Sequence, residues 1–170
     1  MRPDHVDSIV EKWARERPDL PTEALAIAAR VLRLQRFLDD RVDASIRSFG
    51  LNRGELNVLA TLRRAGPPHE LTPTELYQGL LLSSGAMTNR IDHLEDRGYV
   101  RRTPDHEDRR RIRVALTTAG RELIDRAMDL HVTDLEEHLD FLDQSERDQL
   151  SSLLRRVLAE FERDHGAGDA

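Results

Sequence analysis

Apolar residues recur at intervals of three and four along most of this chain, the spacing of one face of an α-helix. Val6, Ile9, Val10 and Trp13 set such a face over residues 4–17, and Pro18 and Pro21 interrupt it. Thr22 is a helix N-cap candidate, opening a long helix to about Phe49 with the stripe Ile27, Val31, Leu34, Leu38, Val42, Ile46 and Phe49. Gly50 ends it, and Asn52 caps a third helix carrying Leu56, Leu59, Ala60 and Leu62 before Gly66-Pro67-Pro68. From Thr118, a cap candidate, a further long helix carries Leu123, Ala127, Leu130, Leu135 and Leu142. Ser145 is the candidate cap of the last helix, whose stripe is Leu150, Leu153, Leu154, Val157, Leu158 and Phe161.

Between these long helices the rhythm changes. Thr72-Pro73-Thr74-Glu75 is a capping box with Pro at the first helical position, and it opens a short helix ending near Gly79. Ser83 or Ser84 caps the next helix, which runs to about Arg97 and stops at Gly98. Residues 99–103 and 112–116 read as strands around an arginine-rich tip. Helix, turn, helix and hairpin in that order make a winged helix-turn-helix. The expected fold is mainly α with a small β wing, one domain over 1–170. Residues 51–117 form its DNA-binding region, and 1–49 and 118–164 supply dimerisation helices.

A groove-reading helix needs one buried side and one exposed side. At about 100° per residue, Met87, Ile91 and Leu94 fall within a sector of roughly 60°, the core face. Gly85, Asn89, Asp92, His93 and Asp96 point away from it, and Arg90 lies on the flank, roughly 70° from the core centre. The first half of the exposed face is small or polar without acid: Ser84, Gly85, Ala86 and Asn89. Asn can pair with adenine, serine can bond bases or phosphates, and a helix N-terminus offers backbone donors to phosphate. The hairpin that follows holds Arg109, Arg110, Arg111 and Arg113, and guanidinium groups suit phosphates and narrow minor grooves. Asp108 reads as a brace that orients one of them.

Composition bears on the partner. The 170 residues carry a net charge of −6, which argues against nucleic acid until its distribution is read. Residues 83–113 hold eight Arg against six Asp or Glu, leaving 18 basic against 26 acidic residues elsewhere. Aromatics at 4% disfavour single-strand binding by base stacking. The absence of cysteine excludes disulfides, thiol redox sensing and cysteine metal sites. With no apolar run near 18 residues and no signal-peptide pattern, the expected location is the cytoplasm. Lys12 is the single lysine, so the abundance of arginine is not in itself a sign of recognition.

The run DHEDRRRIRVALT resembles the wing signature of the MarR family of bacterial regulators, and SSGAMTNRIDHLEDRGYVRR resembles that family's recognition helix and following strand. The resemblance implies a homodimeric repressor that grips a pseudo-palindromic operator and releases it when a small molecule binds. It implies DNA contacts from Arg109, Arg110 and Arg111 in the wing. On the recognition helix it implies Ser83, Ser84, Ala86, Thr88, Asn89, Arg90 and His93; Thr72 and Thr74, at the start of the helix ahead of it, are further candidate DNA contacts. A narrower resemblance lies in Trp13 with Glu16-Arg17-Pro18-Asp19-Leu20. It is similar to the urate-responsive branch, whose added N-terminal helix carries a Trp. That branch implies an effector pocket of Trp13, Arg90 and the residue at Asn57. The branch has Asp where this chain has Asn57, so the lost charge does not carry urate over. An anionic or polar aromatic effector fits the trio.

Other classes find less support. No phosphate loop, nucleophile elbow or catalytic triad spacing is present, no cofactor is called for, and the protein reads as no enzyme. His131 and His138 could share a helix face, but nothing nearby supplies a metal-ligand spacing. A winged helix that binds protein instead of DNA is the alternative. Its tip would need apolar anchors, and none lies between Thr103 and Arg111.

Overall fold

The computed structural model describes residues 2–80, 84–105 and 111–166, with backbone alone at 79–80, 84–86 and 164–166. The chain divides into two compact units, Met1–His131 and Val132–Ala170.

In the first unit, α1 (His5–Glu16) begins at Asp4, whose carboxylate accepts from the Val6 and Asp7 amides while Asp7 reaches back in a capping box. Arg30 of α2 (Glu23–Arg47) donates to both carboxylates and ties α1 down, and Val6 is the buried residue of the contact. Arg30 holds the Asp4 carboxyl below its ordinary range. Thr22 stands at the N-cap of α2 without a side-chain cap bond. The chain leaves α2 through Gly50, at φ +64, where a β-carbon would be strained. Asn52 then caps α3 (Arg53–Arg64).

After α3 come α4 (Pro73–Leu80) and α5 (Ser84–Asp96), then the wing strands. The wing has three strands where the sequence predicts two. β1 (Glu70–Leu71) pairs antiparallel with β3 (Ile112–Leu116), and β3 pairs antiparallel with β2 (Val100–Pro104). The register sets Glu70 opposite Ala115 and Arg102 opposite Val114. One core joins these pieces: Ile46, Leu56, Leu59, Leu62, Leu76, Met87, Ile91, Leu94, Val100, Val114 and Ile124 are all buried. Met87, Ile91 and Leu94 are thus the inner face of α5, as their spacing predicts.

Two expected caps are displaced. α6 (Thr118–Leu139) is capped by Thr117, not Thr118: the Thr117 hydroxyl accepts from the Gly120 amide at 3.0 Å and donates to the Gly98 carbonyl at 2.7 Å. In the second unit α7 (Gln144–Gly166) is capped by Asp143, not Ser145. Asp143 and Glu146 exchange amide bonds at 2.9 Å, a reciprocal box that a serine two residues later cannot form. Arg147 closes the turn before α7 by bonding Glu136 and the Leu139 carbonyl. Among the described residues no helix is long and apolar enough to cross a membrane.

Large apolar residues stay exposed in both units. On α2 they include Ile27, Val31, Leu34 and Leu38, and on α7 Leu150, Leu153, Leu154, Val157, Leu158 and Phe161. Single exposed leucines are ordinary, but periodic stripes of this length on charged helices mark faces that bury against something.

Candidate nucleic-acid interface

The reading head is held by charged groups at each joint. At the first, the Thr72 amide and hydroxyl both donate to Glu75 Oε2, at 2.7 and 2.9 Å, and the Glu75 amide donates back at 3.2 Å. The Thr72 backbone bond, then its hydroxyl, holds the Glu75 carboxyl below its ordinary range. Thr72 is therefore committed to starting α4, and Thr74 is exposed beside it.

At the second joint, Arg102 of β2 fastens the wing to α5. Its amide donates to Glu95 Oε1 at 2.8 Å, and its guanidinium pairs with Glu95 and Asp92. Burial works against its charge, but the two carboxylates outweigh that and leave its pKa raised. Asp92 and Glu95, which would repel phosphates if unpaired, are so bound to a cation. On α5, Thr88, Asn89 and His93 stay exposed, with Asp96 exposed only at the far end of the helix.

At the wing base, Asp105 is buried, and Arg113 Nε donates to its carboxylate at 2.6 Å. The Asp105 amide donates to the Arg111 carbonyl at 2.9 Å, closing the strands under the tip. Hydrogen bonding to Asp105 raises the Arg113 pKa, so this guanidinium braces the wing. Asp105 is a brace that the sequence does not single out; Asp108, the one it does, lies outside the described residues, as do Ser83, Arg109 and Arg110. Arg111 is exposed at the edge of the hairpin.

The N-terminal turn of α3 touches α2 and α5 with successive residues. Arg53 bonds Asp43 and Asp39 of α2, both at 2.5 Å, and it holds the Asp43 carboxyl below its ordinary range. Gly54 carries the Arg90 side chain of α5 across it. Glu55, buried, accepts the Asn52 amide at 3.0 Å and faces Arg97 Nη1 at 3.6 Å and His93 Nδ1 at 3.7 Å. Arg97 in turn donates to the Gly50 carbonyl at 2.8 Å and lies over Tyr99.

Asn57 is exposed one turn beyond Gly54 on α3. Trp13 is 44% exposed and, with Ile9, Lys12 and Glu16, lines a shallow depression of about 240 Å³ on α1. A larger cavity of about 430 Å³ opens between α4, α5 and the wing, walled by Pro73, Tyr77, Thr88, Ile91, Arg102 and Ile112. Glu55, Arg102 and Asp105 are residues that spacing alone misses. Only Glu55 carries a readable signal, its position three after the Asn52 cap.

A MarR family model matches residues 49–111, the stretch that contains α3 to the wing tip. The transcriptional regulator PecS of Dickeya dadantii is 34% identical over 152 residues, covering 89% of this chain and 92% of that protein. A mutant MarR of E. coli, solved in complex with operator DNA, is 28% identical at a TM-score of 0.68, covering 81% of this chain and 96% of that one. AbsC of Streptomyces coelicolor shares the fold at a TM-score of 0.72, covering 84% and 97%, with 22% identity. With the motif, the three-stranded wing and a full-length relative in agreement, this chain belongs to the MarR family of winged helix-turn-helix transcriptional regulators.

Proposed function

We propose that this DNA-binding regulator acts in the cytoplasm as a homodimeric repressor on a pseudo-palindromic operator, and that an anionic or polar aromatic effector releases it. The observation that carries the DNA half is the face of α5. Its inner side is buried, its two acids nearest the wing are paired to Arg102, and Thr88, Asn89 and His93 remain exposed. In this reading Ser83, Ser84, Ala86, Thr88, Asn89 and His93 enter the major groove with Thr72 and Thr74 at its edge. Arg109, Arg110 and Arg111 hold the adjacent minor groove or backbone. Residues 1–49 and 118–164 pair two chains, which spaces the half-sites about 10 bp apart. The effector half rests on Trp13, Asn57 and Arg90: a flat face, a donor and acceptor without fixed charge, and a fork for an anion.

An effector that couples by about 1–3 kcal/mol lowers DNA affinity 5–150-fold. Carboxylates and phenols screened by thermal shift should include one that raises the melting temperature, since a native-state binder stabilises. That compound should dissolve the complex with DNA flanking the protein's own gene in a gel shift. Trp13→Phe and Asn57→Ala should still bind the DNA but need more compound to let go. Release at an unchanged concentration in both variants would remove this pocket from the account.

A further inference from the structure

We infer that Gly54 is a positioning residue of the reading head: its missing side chain gives Arg90 a seat against α3, so that Arg90 has two places, one on α3 and one on DNA. This rests on the reading of α5 as the DNA-facing helix. A β-carbon at position 54 would stand 1.9 Å from Arg90 Nε, 2.5 Å from its Cζ and 2.7 Å from its Cδ. The guanidinium therefore occupies the volume where any other residue's side chain would begin. Arg90 Nη1 is buried and has no hydrogen-bond partner among the described residues.

The seat is close-fitting but electrostatically poor. A buried N–H without an acceptor loses the bonds that water would give it. Gly54 is also the second residue of α3, and the N-terminal turn of a helix carries partial positive charge that does not favour a cation. Packing thus holds Arg90 on Gly54, and among the described residues Nη1 gains no hydrogen bond by staying. Its neighbours Asn89 and His93 on α5 are exposed, so a phosphate arriving at that face offers the acceptor that the seat lacks. An arginine side chain has four rotatable bonds, so its end can turn from the one place to the other. A side chain at position 54 closes the seat and leaves only the outward place.

The experiment compares the wild type with Gly54→Ala, Arg90→Ala and the double variant. Binding to a labelled duplex of unrelated sequence is measured across salt concentrations, and the Arg90 Nε–H signal is followed by NMR without DNA. A seated Arg90 gives a slowly exchanging Nε–H in the wild type that Gly54→Ala loses. Gly54→Ala should bind DNA more tightly than wild type with the same salt slope. Arg90→Ala should flatten that slope by about one unit, and adding Gly54→Ala to it should change nothing further. The inference is overturned if Gly54→Ala leaves affinity unchanged, or if Arg90→Ala leaves the slope unchanged. It is equally overturned if Gly54→Ala unfolds while the double variant folds, because Arg90 then cannot leave its seat. If the wild type binds no duplex, the DNA reading fails instead, and the NMR signal still tests the seat.

Discussion

Replacing Leu154 and Leu158 by glutamate is expected to turn dimers into monomers or aggregates that no longer bind an operator. The two leucines are 44% and 58% exposed on α7, within the stripe that runs from Leu150 to Phe161. Fully burying a leucine contributes about 1.5–3 kcal/mol, and these side chains have about half of that still to gain, so the four in a dimer contribute roughly 3–6 kcal/mol. Each factor of ten in association needs about 1.4 kcal/mol. The loss alone spans several decades of dimer affinity, and four unpaired carboxylates in the contact add a desolvation cost. Mass by light scattering at matched concentrations reads the outcome. A variant that keeps dimer mass and still binds DNA would show that α7 does not join the chains. The α2 stripe of Ile27, Val31, Leu34 and Leu38 would then be left as the pairing surface.

In the reading head, two substitutions should fail in different ways. Arg110→Ala should weaken binding to every sequence and reduce the salt slope by about one unit, as the loss of a single phosphate contact does. Asn89→Ala should instead relax preference at one base pair per half-site, by about 1–3 kcal/mol for a good bidentate contact. Asn89 suits that role because it is exposed and sits one turn before His93, outside the Asp92–Glu95–Arg102 cluster. Competition binding against operators altered one base pair at a time separates the two effects. If both variants match the wild type in affinity and preference, the groove-facing surface lies elsewhere on the domain.

Periodicity reveals the helices and their inner faces because burial acts on every third or fourth residue. Met87, Ile91 and Leu94 can be placed before any coordinates are known. It is silent where a single partner decides. β1 is two residues long and exists only through its pairing with β3, so no alternation could announce it. The caps of α6 and α7 differ by one and two residues from the predicted ones. Thr117-Thr118 and Asp143-Gln144-Ser145 each offer several competent oxygens, and only the backbone turn chooses among them. The charged joints are harder still. Arg102 looks like one more basic residue beside a wing, yet it neutralises the two acids nearest to it on α5. Asp105 looks like a surface acid in a hairpin, and it is buried under Arg113. The helical wheel puts Arg90 on the flank, but the glycine that receives it is 36 residues earlier in the chain, across a contact that spacing cannot express.

The most direct test of the central claim is a stoichiometric titration of the protein with duplex DNA from beside its own gene, followed by footprinting of the complex. Two chains should bind each duplex, with a two-fold symmetric footprint, half-sites about one helical turn apart, and affinity that falls steeply with salt. Binding no tighter than to unrelated DNA, or one chain per duplex with an asymmetric footprint, would contradict that claim.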